Sequence, residues 1–335
     1  MGNTQKQTIL KIEDLKTYFH TLDGVVRAVN GVSFEIKRGK TLGLVGESGC
    51  GKSVTSYSAL RLLPKRISEI AGGHIYFNRD DGSEAVDMTT LEPDGDAIRA
   101  MRGNDISMIF QEPLTSFSPV HTIGDQIGEA VELHQMVNKE EAKERAIEML
   151  EKVGIASPRQ RFDEHPHQFS GGMRQRAMIA MALSCNPKLL IADEPTTALD
   201  VTIQAQILEL MQSLQDQFGM AILIITHNLG VVAEMADEVA VMYMGKIVES
   251  ADVRSIFKLP LHPYTVGLMR SIPKLGQEIK GRLTPIPGSV PDPFSVPKGC
   301  AFYPRCPAPK KPECQSDVPL VEIEPGHYVR CTLYQ

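Results

Sequence analysis

Uninterrupted apolar runs define the centre of the predicted fold. Leu42–Val45, Leu189–Ala192 and Ala221–Ile225 contain no polar side chain, a pattern typical of strands buried on both faces of a sheet. Residues 203–217, between the last two runs, have the periodicity of a helix. This strand–helix–strand order predicts an α/β fold with a parallel sheet covered by helices on both faces.

The N-terminal region has the composition of β-strands. Residues 9–19 and 25–36 are rich in β-branched and aromatic side chains, and Asp23-Gly24 separates them, which predicts a hairpin or a pair of strands. Residues 72–77 predict a further strand, whereas the polar residues 80–95 predict a loop.

Two later elements have clear end signals. Asn138 is a good N-cap with Glu141 at the third helical position, and Gly154 follows the last apolar residue of that helical face. Apolar runs also flank Gly245-Lys246, which predicts a tight hairpin.

The size and charge of the chain limit its function. Its 335 residues suffice for one large α/β domain and a smaller appendage. The formal net charge of −6 argues against a general affinity for nucleic acid or anionic lipid. The first residues lack the apolar core of a secretory signal, and no apolar run is long enough to cross a bilayer. If this protein works at a membrane, we expect another protein to hold it there.

A glycine-rich turn follows the first of the buried runs. It matches G-x-x-x-x-G-K-[ST], in which backbone N–H groups surround phosphate and the next helix N-terminus adds positive potential. Lys52 is expected to reach the β- and γ-phosphates of a nucleotide, and the Ser53 hydroxyl to bind Mg²⁺. The alternative is a chance glycine-rich turn, which the preceding strand disfavours. The residues assigned to the nucleotide are Gly46, Glu47, Ser48, Gly49, Cys50, Gly51, Lys52, Ser53 and Val54.

Two acidic residues follow the run at residues 189–192. A carboxylate at the C-terminal end of a buried strand is well placed to hold the water shell of a metal ion, and Asp193 is assigned that role. Glu194 is one residue nearer to a water in line with the γ-phosphate, and we predict that it is the general base. Two loop acids at a strand end are the alternative, which the phosphate loop on the same chain disfavours.

Gln111 and His227 are two further candidates for the nucleotide site. Gln111 follows Phe110, and its uncharged side chain could touch Mg²⁺ or water from a loop. His227 ends the run 221–225, where it could hydrogen-bond the γ-phosphate. A solvated glutamine and a structural histidine are the alternatives.

Ser170, Gly171 and Gly172 form a second candidate anion-binding turn before a helix. Alone, they would indicate only the start of a helix. Two phosphate-binding turns are redundant in a protein that acts alone. They are useful if the second serves ATP held by a neighbouring subunit.

These motifs occur in the order of the ATP-binding cassette (ABC) family, which the chain resembles over roughly residues 8–256. The resemblance implies a nucleotide-binding domain of residues 1–256 with a P-loop NTPase (RecA-like) core. It also implies an antiparallel β subdomain and a helical subdomain within this domain, the helical subdomain at about residues 112–186. It implies a Mg²⁺-dependent ATPase that forms a head-to-tail dimer, with each ATP between one phosphate loop and the partner's Ser170–Gly172 turn. Asp200, in Ala198-Leu199-Asp200, would link the two sites.

The family also stacks the adenine on an aromatic residue near the N-terminus. Phe19 aligns best with that residue, and Tyr18 is the alternative. Ordinary strand packing would explain either side chain as well.

Three further segments resemble the ATPases of dipeptide and oligopeptide importers. They are the extended loop Gln111–Pro119, Leu261–Thr265 at the start of a C-terminal extension, and the cysteine-containing residues 299–307. Met173 stands where the family signature usually has glutamine. The resemblance implies a small irregular C-terminal domain at residues 257–335. It also implies a second related ATPase subunit, two transmembrane permeases and an extracellular binding protein, and so a peripheral position at the cytoplasmic face of the membrane.

Four cysteines lie in a proline-rich tail. Eleven of the 22 prolines fall in residues 281–335, which disfavours long helices and central strands. A bound metal would supply the missing order, and a reducing cytosol would disfavour disulfides. The spacing matches neither common zinc knuckles nor ferredoxin runs, so zinc, iron–sulfur and free thiols all stay open. The four residues are Cys300, Cys306, Cys314 and Cys331.

The importer resemblance implies a [4Fe–4S] cluster at these cysteines, with zinc as the alternative. The charges of the tail are balanced, so no nucleic-acid partner is expected. The two other cysteines, Cys50 and Cys185, are predicted to be buried packing residues.

The sequence therefore predicts the ATP-hydrolysing subunit of a peptide-type ABC importer. The alternative is a soluble ABC-type mechanical ATPase in DNA repair or translation. Such proteins usually carry two cassettes or a long coiled coil, and this chain has the pattern of neither. The cargo (dipeptide, oligopeptide, nickel complex or sugar) cannot be read from an ATPase, because that subunit does not touch it.

Overall fold

The computed structural model describes residues 8–79, 84–111, 116–197, 199–271 and 285–335. The strands in these ranges are β1 (Thr8–Thr21), β2 (Gly24–Lys37), β3 (Thr41–Val45), β4 (Ser68–Phe77), β5 (Val86–Asp87), β6 (Ile106–Ile109), β7 (Leu189–Asp193), β8 (Ala221–Thr226), β9 (Glu238–Tyr243), β10 (Lys246–Asp252), β11 (Val321–Glu324) and β12 (His327–Val329). The helices are α1 (Lys52–Ala59), α2 (Asp96–Met101), α3 (Ile123–Gln135), α4 (Lys139–Lys152), α5 (Pro158–Phe162), α6 (Gly171–Leu183), α7 (Val201–Phe218), α8 (Leu229–Met235), α9 (Val253–Lys258) and α10 (Pro263–Arg270).

The chain divides into two compact units, each built from separate stretches of sequence. The first unit contains the residues up to Leu10, Ile36–Thr41 and Phe77–Ile225. The second contains Lys11–Glu35, Leu42–Tyr76 and Thr226–Gln335. Elements that cross a boundary are described with the unit that holds most of their residues.

Parallel strands form the centre of the first unit. β7 pairs with β6 on one side and with β8 on the other, and its last residue, Asp193, lies opposite Ile225. All residues of β7 and β8 are buried. This burial explains the apolar runs at residues 189–192 and 221–225, because a strand covered on both faces favours apolar side chains; the polar residues Asp193 and Thr226 stand only at the C-terminal ends of the two strands.

Helices α3 to α6 of the first unit pack against one another. α4 begins as its sequence predicts, because the Asn138 side chain accepts a hydrogen bond from the Glu141 N–H at 3.0 Å. The helix ends at Lys152, and Gly154 follows with a φ of 76°, a left-handed conformation that glycine adopts without strain.

Two sheets lie in the second unit. In one, β1 lies between β2 and β4. In the other, β3 pairs in parallel with β9, and β10 pairs antiparallel with both β9 and β12. β9 and β10 are the predicted hairpin around Gly245-Lys246.

The proline-rich tail gains its order partly from this second sheet. β12 adds to the edge of β10, with Val329 opposite Glu249, and β11 then pairs with β12. Phe302 is fully buried in the same core cluster as Tyr243 and Tyr264. The sequence did not indicate the strand pairing, because the tail strands are only three and four residues long.

The remaining expectations about local structure are largely confirmed. The predicted strands at residues 9–19, 25–36, 42–45 and 72–77 and the helix at residues 203–217 all form. Residues 80–95 are not wholly loop, because β5 and a 3₁₀ turn at Met88–Thr90 lie within them; residues 80–83 lie outside the described ranges. The Asp87 carboxylate stabilises that turn by accepting the Thr89 N–H at 3.0 Å.

Candidate active site

The phosphate loop requires glycine at two positions for steric reasons. Gly51 has a φ of 107°, and a Cβ there would lie 2.2 Å from the backbone oxygen of Ala28. A Cβ on Gly46 would lie 2.2 Å from the backbone oxygen of Met242. The loop therefore follows a path so close to other backbone that only glycine fits.

Lys52 begins α1 and folds back over the loop. Its side-chain Nζ donates hydrogen bonds to the backbone oxygens of Gly46 at 2.8 Å and Glu47 at 3.0 Å. The first turn of α1 contains no acidic residue, so the partial positive charge of the helix N-terminus is not neutralised from within the helix. The loop thus presents an ammonium group and backbone amides, as an anion site requires.

Glu47 has contacts that the sequence did not reveal. Its backbone N–H donates to the Tyr264 hydroxyl at 2.8 Å, and its two carboxylate oxygens accept from the Arg305 guanidinium at 2.6 and 3.1 Å. Burial raises the pKa of Tyr264, so the phenol stays neutral. The hydrogen bond with Glu47 raises the pKa of Arg305 and keeps its guanidinium charged.

The first unit holds the two predicted acidic residues at the end of β7. Asp193 is 1% exposed. Glu194 has a φ of 49°, which is strained for a residue with a side chain. Its N–H donates to the Ile225 oxygen at 2.8 Å, and this bond helps to hold the strained conformation.

The carboxylate of Glu194 is held from two sides. Gln111 Nε2 donates to Glu194 Oε2 at 3.1 Å, and Thr197 Oγ1 donates to the same oxygen at 2.8 Å. The structure thus brings two predicted residues together and adds Thr197. The position of this hydroxyl, three residues after the acid, is the only signal in the sequence that could have indicated it.

The second predicted anion site lies at the N-terminus of α6. The Ser170 hydroxyl oxygen accepts the Met173 N–H at 3.3 Å, and Ser170 and Gly171 are exposed. The contact uses the backbone of Met173, so it does not depend on the side chain that departs from the family signature. Asp200 caps α7 by accepting the backbone N–H groups of Thr202 and Ile203 at 3.1 and 3.0 Å.

His227 lies in the second unit and is exposed directly after β8. Capping contacts fix the chain on its C-terminal side. The Asn228 N–H donates to Thr226 Oγ1 at 2.9 Å, and the Asn228 side chain accepts the Gly230 N–H at the start of α8. The histidine therefore stands at a rigid strand-to-helix turn, and its role toward phosphate stays a prediction.

The two aromatic candidates lie side by side on β1. Neighbouring strand residues point to opposite faces of a sheet, so Tyr18 and Phe19 do not share a face. The Tyr18 hydroxyl donates to Asn30 Oδ1 at 3.1 Å, and the Arg27 guanidinium lies 5.8 Å from its ring centre. Because Tyr18 already has these partners, Phe19 remains the better candidate for adenine stacking.

The four tail cysteines line one small cavity, together with His262 and Phe302. Burial raises the pKa of the Cys300 thiol to about 11, and repulsion from the other three thiolates adds to the rise. The predicted metal centre is nevertheless not preformed. In the described ranges no group of three or more His, Cys, Asp or Glu side chains is arranged to hold a metal ion.

The Cys314 thiol instead lies 3.1 Å from the Thr332 hydroxyl, within hydrogen-bonding reach. The expected [4Fe–4S] cluster and its zinc alternative therefore stay predictions. Cys50 and Cys185 are both buried, as expected of packing residues.

Some predicted segments lie outside the described residues. These are the first seven residues, Glu112–Thr115 of the extended loop, Ala198, and residues 272–284 of the C-terminal extension, in addition to residues 80–83. Among the helices that are described, none has the length and apolar character needed to cross a membrane.

Two family models match the chain in different regions. The model described as ABC transporter matches residues 29–197, and the model described as oligopeptide/dipeptide transporter, C-terminal region, matches residues 248–314. Among curated relatives, the oligopeptide transport ATP-binding protein AppD of Bacillus subtilis is 51% identical over 98% of this chain and 97% of its own. The dipeptide transport ATP-binding protein DppD of the same organism is 50% identical over 90% of this chain and 87% of its own.

Solved structures give the same fold. A dimeric ATP-binding cassette in a post-hydrolysis state, bound to ADP and Pi, superposes with a TM-score of 0.64 at 23% identity, over 73% of this chain and 99% of that one. The protein cbiO1 of Clostridium perfringens, part of an ABC transporter complex, has a TM-score of 0.61 at 26% identity, over 76% and 92% of the two chains.

Proposed function

Because this chain belongs to the ABC transporter family and is an ATPase of that type, we propose that it is the ATP-hydrolysing subunit of a peptide importer. One observation carries the proposal: identity of about 50% to dipeptide and oligopeptide transport ATP-binding proteins extends over nearly the whole chain, including the C-terminal region. Dipeptides or oligopeptides are therefore the cargo of the complex we envisage.

The phosphate loop binds the nucleotide in this proposal. Lys52 neutralises the β- and γ-phosphates, and the Ser53 hydroxyl and Gln111 coordinate Mg²⁺. Two features of the loop favour the binding of a polyanion and so support these roles. The loop path is fixed, and the first turn of the following helix carries no acidic residue. Phe19 stacks on the adenine.

Glu194 acts as the general base in the same scheme. Its carboxylate accepts a proton from a water in line with the γ-phosphate, while Asp193 holds the metal's water shell and His227 hydrogen-bonds the transferred phosphoryl group. The two hydrogen bonds on Glu194 support this role because they orient the carboxylate before the reaction. Such chemistry depends mainly on positioning and charge stabilisation.

We further propose the assembly in which this chemistry is used. Residues 1–256 form the nucleotide-binding domain, with the helical subdomain at about residues 112–186, and residues 257–335 form the extension. Two related cassettes pair head to tail, the Ser170–Gly172 turn of one meets ATP on the other, and Asp200 links the two sites. Two permeases hold the pair at the cytoplasmic face of the membrane, and an extracellular binding protein delivers the peptide.

Purification and transport together test this function. The full chain should co-purify with two polytopic permeases, and a strain that lacks it should fail to take up radiolabelled dipeptides or oligopeptides until the gene is restored. Co-purification with ribosomes or DNA, and normal peptide uptake in the deletion strain, would instead favour a mechanical ATPase without a transporter.

We also propose that Cys300, Cys306, Cys314 and Cys331 hold a [4Fe–4S] cluster, with zinc as the alternative. The support is that all four thiols line one cavity and that four soft sulfur donors suit iron–sulfur clusters or zinc. The thiol of Cys314 would have to leave Thr332 on binding. A cluster would supply structural cross-linking of the tail.

Metal analysis gives the corresponding prediction. Protein purified without oxygen should be brown, should absorb blue light and should contain about four iron and four sulfide per chain. Cys306→Ser should lose the metal and lower the melting temperature, because the tail loses a cross-link. Cys185→Ser, a matched control outside the cavity, should keep it. Wild-type protein with one zinc and no iron would select the alternative, and protein with neither metal would refute both.

A further inference from the structure

Glu47 is connected to its surroundings through every polar group it has. Its backbone oxygen accepts from Lys52, its N–H donates to Tyr264, and its carboxylate binds Arg305. Glu47 lies one residue after the first glycine of the phosphate loop, so these contacts fix the path of the loop where it leaves β3.

Arg305 is held rigidly for this contact. Its side chain is 5% exposed, compared with 27% for Glu47. It lies at the end of a 3₁₀ turn at Tyr303–Arg305, between Cys300 and Cys306. Its guanidinium also donates to the backbone oxygen of Pro287 at 3.2 Å. Held by these contacts, the planar group can meet both carboxylate oxygens of Glu47 at once.

Aromatic packing supports the same arrangement. The Arg305 guanidinium carbon lies 5.9 Å from the ring centre of Tyr243 and 5.8 Å from that of Phe302. Arg305 also donates to the Tyr243 hydroxyl at 3.3 Å. Tyr264, which accepts the Glu47 N–H, packs against both rings. One aromatic cluster therefore orients Tyr264 and Arg305, two of the three residues that contact Glu47.

The charge of Glu47 makes this contact relevant to nucleotide binding. A carboxylate within the loop repels an incoming triphosphate, and in a partly buried site that repulsion is weakly screened. A fixed guanidinium cancels it.

We propose that Arg305 is a positioning residue for the phosphate loop: it neutralises and orients Glu47, and the affinity of this chain for ATP depends on it. The inference rests on the phosphate loop being the ATP site, as proposed above. It assigns a function in nucleotide binding to a residue of the cysteine-containing tail.

A double-mutant cycle tests the proposal on the isolated full chain, with a fluorescent non-hydrolysable ATP analogue and Mg²⁺. Arg305→Gln should weaken binding about tenfold, because the Glu47 charge is left unpaired. Steady-state kinetics of the chain assembled with its partner cassette should show the loss in KM, with kcat changed by no more than about twofold. Combining Arg305→Gln with Glu47→Gln should restore affinity to within about threefold of wild type, because no unpaired charge remains.

Rescue of ATP affinity by Glu47→Gln distinguishes a positioning role of Arg305 from a merely structural one. If Arg305→Gln acts by unfolding the tail, removing the Glu47 charge will not restore affinity, and the proposal is wrong. It is equally wrong if Arg305→Gln binds the analogue as wild type does. Arg305→Lys, which keeps the charge but loses the two-pronged contact, covers the case in which the glutamine variant does not fold. It should bind about threefold more weakly than wild type, and unchanged affinity would count against the proposal.

Asp317→Asn is the matched control. It removes the exposed Lys246–Asp317 ion pair, a second charge contact of the same tail, which does not touch the phosphate loop. ATP affinity should stay unchanged in this variant. Because the measurement uses the isolated chain, failure of peptide transport would refute the importer function and leave this result standing. A wild-type chain that does not bind the analogue would refute the ATP site itself.

Discussion

Glu194→Gln should lower ATP turnover by about 10²- to 10⁴-fold while Mg²⁺-ATP binding is retained. The amide has the shape of the carboxylate and can still accept hydrogen bonds from Gln111 and Thr197 through its oxygen. It cannot take a proton from water. Phosphate release under saturating ATP, measured alongside equilibrium nucleotide binding, separates the two effects.

Thr197→Ala provides the comparison. It removes one hydrogen bond that orients Glu194 and leaves the base in place, so turnover should fall by less than about tenfold. Turnover of Glu194→Gln within a factor of two of wild type would exclude Glu194 as the base. Equal losses in both variants would indicate that orientation, rather than proton transfer, limits the reaction.

Gly51→Ala should destabilise the protein by about 3 kcal/mol or more and abolish ATP binding. The added Cβ would lie 2.2 Å from the Ala28 oxygen, and the φ of 107° is itself unfavourable for alanine. Backbone on both sides must then move, and this displaces the start of α1 with Lys52. For a chain of 335 residues, a fall in melting temperature of roughly 4 °C or more is expected for that loss.

Gly49→Ala is a control from the same loop. Gly49 also has a left-handed φ, of 78°, but among the described residues no atom beyond its chain neighbours lies within 4 Å of the position that a Cβ would occupy. Only the conformational cost remains, about 1 to 2 kcal/mol. If both alanine variants have the same melting temperature, the close approach to Ala28 has no influence on stability and the explanation given for Gly51 is wrong.

Much of the fold could be predicted because its signals are local. The runs in β3, β7 and β8 are continuous because those strands are buried, and Asn138 and Gly154 mark the ends of α4 by their own backbone chemistry. The family and the α/β cassette fold predicted from the motifs are confirmed. The assigned roles of the individual site residues stay predictions.

The contacts that were missed are long-range. A lone arginine in a tail with balanced charges gives no signal for an ion pair with Glu47, since neither its spacing nor its neighbours indicate a partner. The β12–β10 pairing was missed for a similar reason, because a three-residue strand has too short a pattern to recognise. The predicted metal centre came from the resemblance, and cysteine spacing could not test how the thiols would be arranged.

The Glu47–Arg305 pair joins positions 258 residues apart. At 5 to 20 residues per second, roughly 13 to 50 s of translation separate the two residues. If ATP affinity depends on Arg305 as proposed, a nascent chain whose phosphate loop has already emerged from the ribosome still binds ATP weakly. Tight binding arrives only after Arg305 has been synthesised and has folded against the loop, so a chain that stops before Arg305 is less able to sequester nucleotide.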